Sequence, residues 1–253
     1  MLSKSKIKWI NSLERKKNRD KENVFVAEGV KIVTDLLPFF KCRFLAVTQS
    51  EVSDKFSKYT DEIEVISQDE YRKITFQKSP QGVLAVLEMP EYKIDYPKLT
   101  MNLSLALEEI QDPGNLGTII RIADWFGIKD IFCSQHTADV FSPKSIQATM
   151  GAMARVRIHY VDLALFLDKI KDKIPVYGTY MNGENIYDLT LSDSGIIIMG
   201  NEGNGISAEI EKLITRKIAV PTFPEDSIAS ESLNVATATA IVAAEFRRRT
   251  HSK

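Results

Sequence analysis

Two cysteines, Cys42 and Cys133, are all that the 253 residues carry, and no C-x-x-C spacing joins them. That argues against a disulfide framework and a thiolate zinc site, and it suits a reducing cytoplasm. Histidine is as scarce: His136, His159 and His251 show no paired metal-ligand spacing, so no metal is expected. Apolar runs such as Ile196 to Met199 are strand-sized, and the start, Met-Leu-Ser-Lys-Ser-Lys, has no apolar core of an export signal. Neither a membrane span nor a secretory leader is expected. Missing too are G-x-G-x-x-G, the P-loop lysine pattern and G-x-S-x-G, which counts against a small-molecule enzyme using a nucleotide cofactor. With a formal net charge of −1 there is no bulk basic excess, so any nucleic-acid site must rest on local charge.

Local charge is present. Residues 1–21 hold Lys4, Lys6, Lys8, Arg15, Lys16, Lys17, Arg19 and Lys21 against Glu14 and Asp20. Ile7, Ile10 and Leu13 fall on one helical face, so the run reads as an amphipathic helix with a solvated basic side that permits RNA contact without requiring it.

The length suits two α/β domains, each with a core of its own. From Val24 to Leu87, short β-rich runs alternate with helical patterns, and Ser67 precedes Glu70 at the capping-box spacing. Residues 88–100 carry two prolines, mixed charge and no period, and read as a linker. Beyond it, strands are expected at Leu103–Glu108, Ile131–Cys133, Val156–His159, Val176–Thr179, Gly195–Met199 and Ile218–Val220. Helices between most of them imply a largely parallel sheet. The expected division is 1–87, linker 88–100 and 101–253.

Ligands of open parallel sheets collect beyond the carboxyl ends of the strands, and three loops there are unusual. Gln111 to Gly117 leads into a helix bearing Arg121 and closed by Gly127, with Asn115 placed to cap it. Gly200-Asn201-Glu202-Gly203-Asn204-Gly205 follows a buried strand and sets a carboxylate among three glycines. The third loop, from Pro221 through Glu231, reaches the final helix by Ser232-Leu233-Asn234-Val235, a hydroxyl and an amide at a helix start. Small residues from Ala236 to Ala240 fit either tight packing on the sheet or a subunit interface.

In this order the loops resemble the three motifs of the SpoU (TrmH-like) family in the SPOUT class of RNA methyltransferases. The first is matched by Asp112-Pro113-x-Asn115-x-Gly117-x-Ile119-x-Arg121-x-Ala123 with Phe126-Gly127, the second by Met199 to Ser207, the third by Ser232-Leu233-Asn234-Val235-Ala236. Ser142-Pro143-Lys144, Ala148 and Gly151-Ala152 are similar to a segment between the motifs. Phe25 to Gly29 and Gln81-Gly82-Val83 are similar to the ends of the small substrate-binding domain that precedes many members.

The resemblance implies a catalytic domain with a deep trefoil knot, S-adenosyl-L-methionine as cofactor, and a homodimer. Carried over, it places Gly200, Asn201, Glu202, Gly203, Val220, Pro221, Leu233 and Asn234 at the cofactor, and Asn115, Arg121, Glu202, Ser232 and Asn234 around the reacting atoms. Lys4, Lys8, Arg15, Lys16, Lys17, Arg19 and Lys144 would meet RNA. The implied reaction is methylation of a ribose 2′-hydroxyl in structured RNA, with ribosomal RNA favoured by the extra N-terminal domain. Transfer RNA and a non-catalytic RNA-binding relative are the alternatives. Arg121 is read as a clamp on an RNA phosphate, because a guanidinium is a poor base. Two departures stand out: the stretch after Val220-Pro221-Thr222 is longer than the family's and lacks glycine, and Gln147 stands where many relatives have arginine.

Overall fold

The computed structural model describes residues 1–223 and 232–250. The chain divides into two compact units, Met1–Glu91 with Asp139–Ala154 and Tyr92–Ala138 with Arg155–Lys253. Residues 139–154, which the sequence assigns to the C-terminal part, thus cluster with the first unit.

In that unit β1 (Val24–Glu28), β2 (Cys42–Val47), β3 (Ile63–Val65) and β4 (Val83–Glu88) form a mixed sheet in the order β1-β4-β2-β3. Strand β4 runs antiparallel to both neighbours, while β2 and β3 are parallel. The capping box at Ser67 forms as its spacing predicts, with Ser67 Oγ accepting from the Glu70 N–H and Glu70 Oε2 from the Ser67 N–H. The basic N-terminal stretch makes two short helices, Lys4–Ser12 and Lys16–Glu22. Ile10 and Leu13 are buried with Phe44, Tyr71 and Ile74, and Ile7 packs against that core at its edge. Helix Pro143–Thr149 packs on β1, and the Phe141 ring lies 5.2 Å from that of Phe25.

Arg19 corrects the expectation that it faces RNA. It is 2% exposed, donating to the carbonyls of Leu13 and Glu14 and pairing with Asp139 at 2.5 Å. Its guanidinium ties the turn between the two N-terminal helices to residue 139, within one compact unit. Asp139→Ala should therefore destabilise the protein by about 3 kcal/mol, because a buried cation loses its counter-charge. Adding Arg19→Met should recover most of that loss, and urea unfolding midpoints of the single and double variants check both outcomes.

The second unit is a six-stranded sheet with every pairing parallel, in the order β10-β8-β9-β5-β6-β7. Its strands are β5 (Leu103–Leu107), β6 (Asp130–Ser134), β7 (Arg157–Val161), β8 (Val176–Asn185), β9 (Gly195–Met199) and β10 (Arg216–Ala219). Central β5 and β9 are buried at every position, as continuous apolar runs in a parallel sheet require. The expected linker contains a four-residue helix, Tyr96–Leu99, capped by Asp95. Phe132 is stacked between Phe166 and the ring of His159, at 4.1 and 4.9 Å. His159 Nε2 lies 2.9 Å from Asp130 Oδ1, so this histidine serves the core. Burial pushes the Asp130 carboxyl up, but hydrogen bonds from His159 and Arg157 outweigh it and hold the group below its ordinary range.

Strand β8 is longer than the expected Val176–Thr179, and the reason is a break in its ladder with β10. Lys217 pairs with Gly178, but the next residue, Ile218, pairs with Glu184. Residues 179–183 leave the ladder between those points. Gly183 allows the return, since a Cβ there would sit 2.5 Å from the Ile218 carbonyl carbon. Arg216–Ala219 and Arg157–Val161 likewise replace the expected Ile218–Val220 and Val156–His159.

Candidate active site

The helix Pro113–Trp125 starts three residues earlier than its sequence suggests. Asp112, not Asn115, is the cap: its Oδ1 accepts the Asn115 N–H at 2.9 Å, with Pro113 in the first turn. At the other end Gly127, at φ +67°, closes a Schellman motif through Gly127 N–H to Asp124 O and Ile128 N–H to Ala123 O. Relieved of capping, the Asn115 side chain donates from Nδ2 to Glu202 Oε1 at 2.9 Å and accepts at Oδ1 from Asn234 Nδ2 at 3.0 Å. Asn234 in turn caps the last helix, Val235–Thr250, its Oδ1 accepting the N–H groups of Ala236 and Thr237. One hydrogen-bonded chain thus joins side chains from all three unusual loops.

The glycine loop has a framework of its own. Asn201 and Gly205 exchange two backbone hydrogen bonds, Asn201 Oδ1 accepts from Gly203 and Asn204, and Asn201 Nδ2 donates to the Glu109 carbonyl. The buried carboxylate of Glu108 accepts the Ser207 N–H at 3.0 Å, pinning the loop's far end. Glu109 itself sits at φ +54°, where a side chain is strained, beside the first motif.

Beyond this loop opens a cavity of about 910 Å³. It is lined by loop 199–206, by Ile218 to Phe223, by Ser232, Leu233, Val235, Ala238 and Val242, and by residues 179–181, 183 and 185. Expected residues Gly200, Asn201, Glu202, Gly203, Val220, Pro221, Ser232 and Leu233 all line it; Asn115 and Asn234 do not, and they reach it through Glu202. Residues 224–231 of the long third loop lie outside the described residues. The wall from β8 was not expected, because nothing in the composition of 179–185 marks it; only the ladder break puts it there. In that wall the Tyr180 hydroxyl is buried with no hydrogen-bond partner among the described residues, and burial, then the charges of Glu211 and Glu108, push it up to about 12.

Arg121 stands on the exposed side of its helix, is not among the residues lining the cavity, and has no hydrogen bond or ion pair among the described residues. Trp125, one turn on, is 86% exposed. Lys4, Lys8, Arg15, Lys16, Lys17 and Lys144 are exposed on the first unit. No helix among the described residues is long and apolar enough to cross a membrane.

The cavity's chemistry suits S-adenosyl-L-methionine. Backbone polar groups of the glycine loop and of residues 220 and 233, apolar Ile218, Val235 and Val242, and a carboxylate for a sulfonium charge all face one space large enough for it. Comparison with known proteins agrees. The chain matches the SpoU rRNA methylase family over residues 102–244 and an MRM3-like substrate binding domain over residues 4–85. It is 31% identical over 246 residues to the 23S rRNA (guanosine(2553)-2′-O)-methyltransferase RlmP of Bacillus subtilis, covering 96% of each chain. A TrmH-family RNA methyltransferase structure from Porphyromonas gingivalis superposes with a TM-score of 0.90 at 39% identity, covering 98% of this chain and 99% of that one. An AdoMet-bound rRNA methyltransferase from Sinorhizobium meliloti does so at 0.86 and 29%, covering 98% and 96%.

Proposed function

Because the chain belongs to the SpoU rRNA methylase family, we propose that its site methylates a ribose 2′-hydroxyl of ribosomal RNA. The enzyme is an S-adenosyl-L-methionine-dependent RNA 2′-O-methyltransferase. The observation that carries this reading is the Glu202–Asn115–Asn234 chain, which gathers three separate sequence segments beside one cavity. When bound, the cofactor supplies an electrophilic methyl group.

The protein supplies the rest. Gly200, Val220 and Leu233 offer backbone groups to the cofactor, while Ser232 and the amides orient the RNA ribose. Arg121 grips the adjacent phosphate with its planar donor fork and lowers the cost of ionising the hydroxyl. An exposed indole one turn beyond Arg121 supports a homodimer formed on this helix face, and the loops sharing the cavity support the trefoil knot that the family resemblance implies. An rRNA substrate also supports a cytoplasmic location.

Ribosomal RNA incubated with the protein and methyl-labelled cofactor should yield alkali-resistant labelled dinucleotides, the mark of a blocked 2′-hydroxyl. Cofactor and RNA binding without transfer would leave a binding protein instead, and transfer confined to tRNA would move the substrate. Lys16→Ala with Lys17→Ala should weaken RNA binding and flatten the log–log salt slope by about 0.7–0.9 for each phosphate that is no longer neutralised. An unchanged slope would remove these lysines from the RNA surface.

A further inference from the structure

Methyl transfer to a hydroxyl must dispose of one proton, and the cavity restricts what can take it. Among the described residues lining it, only Glu202 and Tyr180 are titratable. The Tyr180 hydroxyl is buried and pushed up to about 12, so near neutral pH it keeps its own proton. Amides and a serine hydroxyl are not bases there, and a guanidinium is a poor base. Glu202 remains, exposed and without an ion pair among the described residues.

Its orientation is also fixed. An asparagine amide can face either way round, but backbone N–H groups only donate, so those of Ala236 (3.0 Å) and Thr237 (3.3 Å) require the Asn234 oxygen toward the helix. The Asn234 NH2 must then donate to Asn115 Oδ1, and that forces the Asn115 NH2 onto Glu202 Oε1. A helix start thereby sets the polarity of two amides and leaves Oε2 as the carboxylate oxygen with no donor among the described residues.

We propose that Glu202 is the proton acceptor of the reaction, held by an Asn234–Asn115 relay that binds Oε1 and presents Oε2 to the ribose hydroxyl. The inference rests on the methyltransferase reading above. In the step, the ribose O–H bond breaks and its proton passes to Oε2. The ribose oxygen forms its bond to the methyl carbon, and the electron pair of the breaking carbon–sulfur bond stays on sulfur. Exposure of Glu202 then lets the proton return to water. Glu202 is a catalytic residue in this scheme, and Asn115 and Asn234 are positioning residues. Other charged or titratable groups on the surrounding elements are Asp112 and Arg121 on the helix of Asn115, Glu108 and Glu109 before it, and Tyr180 in the wall; none pairs with Glu202.

Single-turnover methylation of rRNA should be measured from pH 5 to 9.5. A carboxylate acceptor gives a rate that holds one plateau across the neutral and alkaline range. Glu202→Gln should lower that plateau by about 10²–10⁴-fold when measured at saturating cofactor, so that any loss of cofactor affinity is removed from the comparison. Asn234→Asp, which keeps the cap but has no NH2 to donate, should lower it about tenfold with the melting temperature unchanged. In the ¹⁵N-labelled chain, Glu202→Ala should shift the Asn115 side-chain amide signals. A wild-type rate that climbs tenfold per pH unit through pH 9, near-normal turnover of Glu202→Gln, or unmoved Asn115 signals would overturn the assignment. No transfer to RNA by the wild-type chain at any pH would overturn the function itself, and the inference with it.

Discussion

Arg121→Ala is expected to cut single-turnover methylation about 10²–10³-fold, which is about 2.7–4 kcal/mol of transition-state stabilisation, while cofactor binding is unchanged. The separation follows from placement. Arg121 is exposed, partnerless among the described residues and absent from the cavity lining, so removing it takes nothing from the cofactor's surroundings. An unpartnered guanidinium about two turns into a helix that begins at the site is available to an anion, and the RNA brings phosphates. Arg121→Lys tests the form of the contact: a bidentate clamp needs the planar fork, so lysine should recover less than a tenth of the lost rate. Near-normal turnover with lysine would leave a point charge in place of the clamp, and weakened cofactor binding in Arg121→Ala would place the residue elsewhere. Since a guanidinium that grips phosphate stays protonated, this role sits beside proton transfer to Glu202 without competing with it.

How far the sequence shows all this differs by residue. The parallel sheet is visible because buried strands such as Ile196-Ile197-Ile198-Met199 read as unbroken apolar runs, and the capping box at Ser67 because its two bonds depend on a fixed local spacing. Glycine-rich and Ser-Leu-Asn segments stand out by composition. What joins them does not: Asn115 and Glu202 are 87 positions apart and Asn115 and Asn234 are 119, and their contact exists only after the sheet has brought the strand ends together. Asn115 reads as a cap because both it and Asp112 are good capping residues, and the choice between them is settled by Pro113, which prefers the first turn.

Arg19 fails for a related reason. Its spacing is that of an exposed basic run, but its partner is Asp139, 120 residues away, in a segment that sequence order assigns to the other domain. Charge counts of the N-terminal run therefore overstate its RNA-facing charge, the more so because Lys6 is paired with Glu62 and Glu64. The cavity wall from β8 is hidden differently: a ladder break has no composition, and Gly183 is its one trace.

The glycine loop gives the sharpest steric test, because its three glycines are there for different reasons. At Gly200 a Cβ would fall 2.5 Å from the Gly205 carbonyl carbon, 2.7 Å from the Ile206 nitrogen and 2.8 Å from the Gly205 oxygen, all backbone atoms. No side chain can move aside, so Gly200→Ala must push apart the paired Asn201–Gly205 hydrogen bonds and shift Glu202, which lies between them. Cofactor affinity should fall at least about 100-fold, a loss near 2.7 kcal/mol, and unfolding free energy by about 1–3 kcal/mol of overpacking. At Gly203, by contrast, the added carbon meets only Asn201 Oδ1 at an ordinary 3.5 Å, and at Gly205 it meets nothing, although φ +69° charges a side chain about 1 kcal/mol. Calorimetric titration of the three alanine variants should therefore rank Gly200 far below Gly205 and Gly203. Equal losses at all three would mean that chain flexibility, and not close backbone approach, is what the loop requires.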